Sequence, residues 1–185
     1  MKLLGKTLKA GLVITLAVTL GATASFAQKK KAKCKDGETD QIAKYKLSKG
    51  ENLDQAINAS LTGKAGDPKK GLKWMTHRRL GNCIACHAVS KIAALGKPED
   101  LSSQKKYSFH GAVGPTLDGV ADRYSEGELR LIIVDIKKAL PDANSIMPSF
   151  HRADGFTRVH KDCVGHVVLS AERVEDVVAY LKTLK

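Results

Sequence analysis

A Cys-x-x-Cys-His run, Cys83-Ile84-Ala85-Cys86-His87, constrains this 185-residue chain more than any other feature. Paired cysteines at this spacing serve three chemistries. A thioredoxin-like redox pair follows a strand within a βαβ unit, whereas the segment before Cys83 has helical character. A structural zinc site needs two further ligands at suitable spacing, and the other cysteines, Cys34 and Cys163, are single and far apart. The third chemistry is covalent attachment of a c-type haem. Both thiols become thioethers on the haem vinyl groups, and the histidine that follows is set beneath the iron. The spacing suits this because one turn of chain must reach two vinyls and still aim an imidazole at the metal. The motif therefore predicts one covalently bound haem c, held by Cys83 and Cys86, with His87 as the proximal iron ligand.

The sixth iron position has several candidates: Met75, Met147, His77, His110, His151, His160 and His166. Met75 and His77 lie on or near the segment leading into the motif and are tethered to the proximal edge. Met147 sits in a loop, Ser145-Ile146-Met147-Pro148-Ser149-Phe150, where the proline stiffens the backbone around a thioether. Met147 is the expected distal ligand, with His110 or His151 as the next option. A Met/His pair raises the reduction potential relative to two imidazoles. Near the motif, Gly114-Pro115 offers a carbonyl, that of Pro115, to the free N–H of His87, since ligating histidines usually donate their second nitrogen to such a group.

Lys2, Lys6 and Lys9 precede an apolar run from Gly11 to about Gly21, and Ser25 and Ala27 are the small residues of a cleavage site. This is the layout of a secretory leader, and the run is well short of the ~20 residues of a membrane span. Cleavage after Ala27 is expected to leave 158 residues, exported and without a membrane span, in an oxidising compartment such as the periplasm. The net charge is +12, or +9 without the three leader lysines. That field suits an acidic protein partner, and a basic surface that only keeps the protein soluble is the equal alternative. Export and the lack of any nucleic-acid motif argue against nucleic acid. In such a compartment Cys34 and Cys163 are expected to pair as a disulfide. If free, Cys163 would be reactive, because His160, Lys161 and His166 lie close to it in sequence.

The predicted layout is a leader (1–27), a basic and irregular extension (28–66) that begins with the lysine-rich arm around Cys34, and a helical domain (67–185). Asp67-Pro68 reads as a cap and first turn. The helix it starts should run to about Leu80, with Leu72, Met75 and Arg79 along one side, and stop at Gly81. Residues 88–127 read as mostly loop, which is unusual inside a compact domain unless something besides side chains fills the middle. Ser125 and Glu128 form a capping box. The helix they open should continue to Pro141, with Leu129, Ile132, Ile133, Ile136 and Leu140 on its apolar face. Val167–Leu169 reads as a short strand or extended piece. Ser170 caps a last helix with an apolar stripe of Val174, Val177, Val178, Leu181 and Leu184.

From about Gly66 onward the order of these parts resembles class I cytochrome c: an all-α fold of several helices around one haem. The blocks LTGKAGDPKKG, GNCIACH, GPTLDGVADRYSEGELRLIIVD, NSIMPSF and LSAERVEDVVAYLKTLK resemble more closely the X subunit of the SoxAX complexes of periplasmic thiosulfate oxidation. The resemblance implies that the last helix, with Tyr180, crosses the first near Gly71. It implies a monohaem, His/Met-ligated, electron-accepting subunit, in a heterodimer with a SoxA-type dihaem or monohaem subunit that carries the catalytic site. That complex couples thiosulfate oxidatively to a cysteine of a SoxYZ-type carrier, and the electrons pass on to an acceptor cytochrome or other acceptor. The lysine-rich arm with Cys34 is a departure from the pattern. A stand-alone soluble shuttle cytochrome is the alternative reading. A haem enzyme or sensor with an open distal site is a third, and it requires Met147 to stay off the iron.

Overall fold

The computed structural model describes residues 42–94 and 111–185. The leader, the arm with Cys34, the Gly96–Asp100 segment and His110 lie outside the described residues. Six α-helices carry the described fold: α1 (Pro68–Thr76), α2 (Ser90–Ala93), α3 (Val120–Arg123), α4 (Glu126–Val134), α5 (Ile136–Ala139) and α6 (Ala171–Leu181). The strands are a two-residue antiparallel pair, β1 (Ser48–Lys49) and β2 (Gln55–Ala56), in register Ser48 with Ala56. No described helix is long and apolar enough to cross a membrane.

The central packing is α1 against α6. At the crossing, a Cβ on Gly71 would lie 2.0 Å from the Asp176 carbonyl oxygen and 2.8 Å from the Tyr180 Cβ, so the two backbones meet only because residue 71 has no side chain. Asp176 straps the pair together. Its carboxylate accepts from the Asp67 backbone N–H (2.7 Å) and from the Trp74 indole N–H (3.0 Å). Asp67 in turn caps α1 by accepting from the Lys69 and Lys70 N–H groups. Met75, Leu131, Val134, Val174 and Val177 are buried around this crossing in one continuous apolar cluster.

Several expectations are corrected. The first helix ends at Thr76, not Leu80. The Thr76 hydroxyl donates back to the Leu72 and Lys73 carbonyls, His77 turns extended (φ −74°, ψ 116°), and Arg79 is exposed. Back-bonding of this kind competes with helix propagation. The capping box at Ser125 and Glu128 is formed, but the helix it opens breaks at Asp135 (φ −152°, ψ 88°) before resuming as α5. Almost all of α4 is buried, including Leu131 and Val134, which lie off the single apolar face expected. Residues 88–127 hold α2 and α3. Val167–Leu169 forms no strand; the Leu169 N–H donates to the Phe150 carbonyl at 2.9 Å.

The segment 42–66 contains no helix and lies along α4 and α6. Ile57 donates its N–H to Gly127 O (3.0 Å) and accepts from Arg130 Nη1 (2.6 Å). The Leu61 N–H donates to Glu175 Oε1 (2.8 Å). Arg130, almost fully buried, also donates to both Glu175 oxygens. The charge is thus buried with a carboxylate and a carbonyl to satisfy it, which is the condition for placing it there at all.

Candidate functional site

The motif follows a turn in which Asn82 adopts a left-handed conformation (φ 44°, ψ 37°), a state asparagine tolerates better than most residues. Cys83–Ala85 then form one turn of 3-10 helix, and both Cys86 and His87 donate their N–H groups to the Cys83 carbonyl. This tight turn brings two free thiols and an imidazole to one short stretch. Cys86 is exposed. Cys83 is half-buried and packs against the core, and burial pushes its thiol up to about 12. Gly81 fits close behind it: a Cβ there would lie 2.6 Å from the Trp74 carbonyl oxygen.

His87 Nδ1 lies 2.7 Å from the Pro115 carbonyl oxygen. A carbonyl only accepts, so Nδ1 carries the proton and Nε2 keeps the lone pair. The ring packs closely against Gly114, where a Cβ would come within 2.3–2.8 Å of three imidazole atoms. The 111–117 loop is itself tied to the motif: Gly111 N–H to Ile84 O (3.0 Å), Gly114 N–H to Cys86 O (2.8 Å) and Leu117 N–H to Ala88 O (2.9 Å). One backbone segment therefore fixes both the tautomer and the plane of the histidine.

Met147 is half-buried and packs against the same apolar cluster as Cys83. Its N–H donates to Ser145 Oγ (3.2 Å). Of the other sixth-ligand candidates, Met75, His151, His77 and His160 are engaged elsewhere, and His110 lies outside the described residues. Met75 is fully buried at the α1–α6 crossing. His151 uses both nitrogens: Nδ1–H donates to Leu169 O (2.8 Å), and Nε2 accepts from the Ala43 N–H (2.9 Å). That leaves it no lone pair for a metal. His77 Nδ1 accepts from the Arg79 N–H and His160 Nδ1 from the Asp162 N–H.

Among the described residues no group of three or more His, Cys, Asp or Glu side chains could hold a metal ion. Cys163 is disulfide-bonded; Cys34 lies outside the described residues. A cavity of about 200 Å³ lined by Ala65, Gly66, Glu126, Glu175, Ala179 and Lys182 shares no residue with the motif or the methionine loop.

The residues present fit a covalently attached haem. Two unpaired thiols at the right spacing, an imidazole with its metal-facing nitrogen free of a proton, and a glycine that makes room for the ring are the donor set the group requires. Sequence reasoning named Pro115 but gave no role to Gly114, whose crowding depends on a ring 27 positions earlier in the chain. It also passed over Asp135, though an acid amid the apolar run Ile132-Ile133-Val134-Asp135-Ile136 is a visible signal of a buried polar anchor.

The family model for cytochrome c matches residues 77–185. No curated protein sequence matches. Among solved structures, a chain in the crystal structure of SoxXA from P. pantotrophus is 37% identical with a TM-score of 0.55, over 70% of this chain and 90% of that one.

Proposed function

The chain belongs to the cytochrome c family, within its SoxX-type branch, and from that premise we propose that it is the monohaem, electron-accepting subunit of a thiosulfate-oxidising complex in the periplasm, exported by cleavage after Ala27. The observation that carries the site is the bond from His87 Nδ1 to the Pro115 carbonyl beside two free thiols. In this reading Cys83 and Cys86 hold the haem as thioethers, His87 is the proximal ligand and Met147 the distal one. When bound, the group supplies a one-electron redox centre. The chain's own residues fix its environment. Pro115 keeps the imidazole oriented and raises its basicity as a ligand, Gly114 lets the ring seat, and a methionine opposite a histidine favours the reduced state relative to two imidazoles.

Joining thiosulfate to a carrier thiol removes two electrons, and the joining site is expected on a SoxA-type partner, with a SoxYZ-type protein as the thiol carrier. Support for a lasting partner comes from two apolar side chains beside the site residues. Val113, next to Gly114, and Ile146, next to Met147, are 64% and 81% exposed. A stand-alone shuttle would leave both in water throughout its life.

The test has two arms on the purified holoprotein. The optical spectrum should show the weak long-wavelength methionine–iron band, and Met147→Ala should keep covalent haem but lose that band. Thiosulfate should reduce the haem only when the SoxA-type and SoxYZ-type proteins are both added. Reduction that needs neither, or a chain that never co-purifies with a second haem subunit, would favour the shuttle.

A further inference from the structure

Met147 is held between two anchors of unequal kind. Upstream, Ser145 receives the Lys137 ammonium on its carbonyl in an exposed setting and the Met147 N–H on its hydroxyl in a part-buried one. Downstream, the chain is tied to the break between α4 and α5. The Phe150 N–H donates to Ile133 O (2.9 Å). The Asp135 carboxylate, 2% exposed, accepts from Ser149 Oγ at 3.0 Å and from Arg152 Nη1 at 3.2–3.3 Å. Asp135 is the residue at which α4 stops: its N–H makes the last bond of that helix, to Leu131 O (2.8 Å), and its own carbonyl accepts from Lys138 and Ala139 to start α5. Ending α4 at a buried carboxylate sacrifices helical continuity. The carboxylate reaches the loop two and five residues beyond Met147.

We propose that Asp135 is a positioning residue for Met147, its carboxylate clasping Ser149 and Arg152 so that the methionine loop stays closed over the iron. The proposal rests on the reading of Met147 as distal ligand. A thioether is a weak, neutral ligand, so the loop that carries it must supply part of the restraint. A buried carboxylate with two fixed donors does this with little reorganisation. An external ligand binds the iron only in the fraction of molecules whose loop is open, and its apparent affinity scales with that fraction. Weakening the clasp raises the fraction.

The measurement is imidazole titration of the ferric holoprotein, followed by loss of the methionine–iron band, together with the thermal unfolding midpoint. Asp135→Asn should raise imidazole affinity about tenfold, equivalent to ~1.4 kcal/mol of loop closure. Ser149→Ala should raise it about threefold (~0.6 kcal/mol). Val174→Ala, a cavity in the fully buried part of α6, should lower the midpoint but leave imidazole affinity within about twofold, because general destabilisation does not open the loop. If Asp135→Asn does not fold, Ser149→Ala and Arg152→Gln decide. Clasp variants within about twofold of wild type, or a Val174→Ala affinity as high as theirs, overturn the proposal. Absence of the band in the wild type would instead show that Met147 is not the ligand, and the proposal would fall with that reading.

Discussion

Gly114 is where a single missing side chain decides the seat of the His87 imidazole. Three atoms of the His87 ring occupy the space a Cβ would take, and the Nδ1 bond to Pro115 O depends on the ring lying there. Gly114→Ala must push the ring or the 111–117 loop away, at a cost of ~1–3 kcal/mol typical of overpacking. We expect less covalent haem per polypeptide and a lower unfolding midpoint, read by pyridine haemochrome against protein mass and by thermal melting. Wild-type values for both would show that the ring has room to move. The roles we propose for Cys83, Cys86 and His87 are legible from spacing because the haem chemistry is local in sequence. The need for glycine at 114 is not, since it arises from a contact between segments.

At the scale of elements, Glu128 joins a helix start to the extension that precedes it. It completes the capping box by accepting from the Ser125 N–H (2.7 Å), and it also accepts from the Asn52 and Leu53 N–H groups (2.5 and 2.6 Å). Burial opposes its ionisation, but these three N–H donors and the Asn52 amide outweigh that and bring the carboxyl down to about 2 from an ordinary 4.5. A carboxyl with a depressed folded-state pKa stabilises the fold above the unfolded value, and that contribution fades as pH falls from about 4.5 towards 2. The shift corresponds to ~3 kcal/mol. Denaturant stability should therefore drop over that window in the wild type, and the drop should be shallower in Glu128→Gln, which should also be less stable at pH 7. Parallel acid profiles for the two proteins would rule this out. The capping box was readable from Ser125 and Glu128 alone, being a four-residue local pattern. The strap to Asn52 and Leu53, 76 and 75 positions away, was not. The break at Asp135 went unread for the same reason: periodicity sees the apolar face, and the Ser149 and Arg152 partners that make the break favourable are distant.

For the whole molecule, residues 42–66 of the extension are a structural part of the described fold. They are sewn to α4 and α6 by Ile57, Leu61 and Arg130 and to the methionine loop region by the Ala43 N–H on His151. Cys163 is disulfide-bonded, while Cys83 and Cys86 are free. The partner we propose for it is Cys34, the remaining cysteine of the chain. Non-reducing peptide mapping of the mature protein should recover one linked species containing both residues. Cys163→Ser should lower stability by ~2–4 kcal/mol, as expected for a bridge closing a long loop. Recovery of Cys34 and Cys163 on separate, singly alkylated peptides would remove the pairing.

The sequence alone determined the features whose chemistry is local. These are the Cys-x-x-Cys-His motif at 83–87 that marks the cytochrome c family, the helix starts at Asp67, Ser125 and Ser170, and the helical character of the core. Each depends on residues within about one turn of one another, so spacing and capping suffice to read them. Tertiary structure decided what depends on two segments meeting. It set the α1–α6 crossing over Gly71, the tautomer and seat of His87 against Gly114 and Pro115, the engagement of both His151 nitrogens, and the stop at Asp135 that ties the methionine loop. Hydrogen bonds and close contacts between residues tens of positions apart leave no periodicity in the chain, and only the folded backbone brings their partners into range.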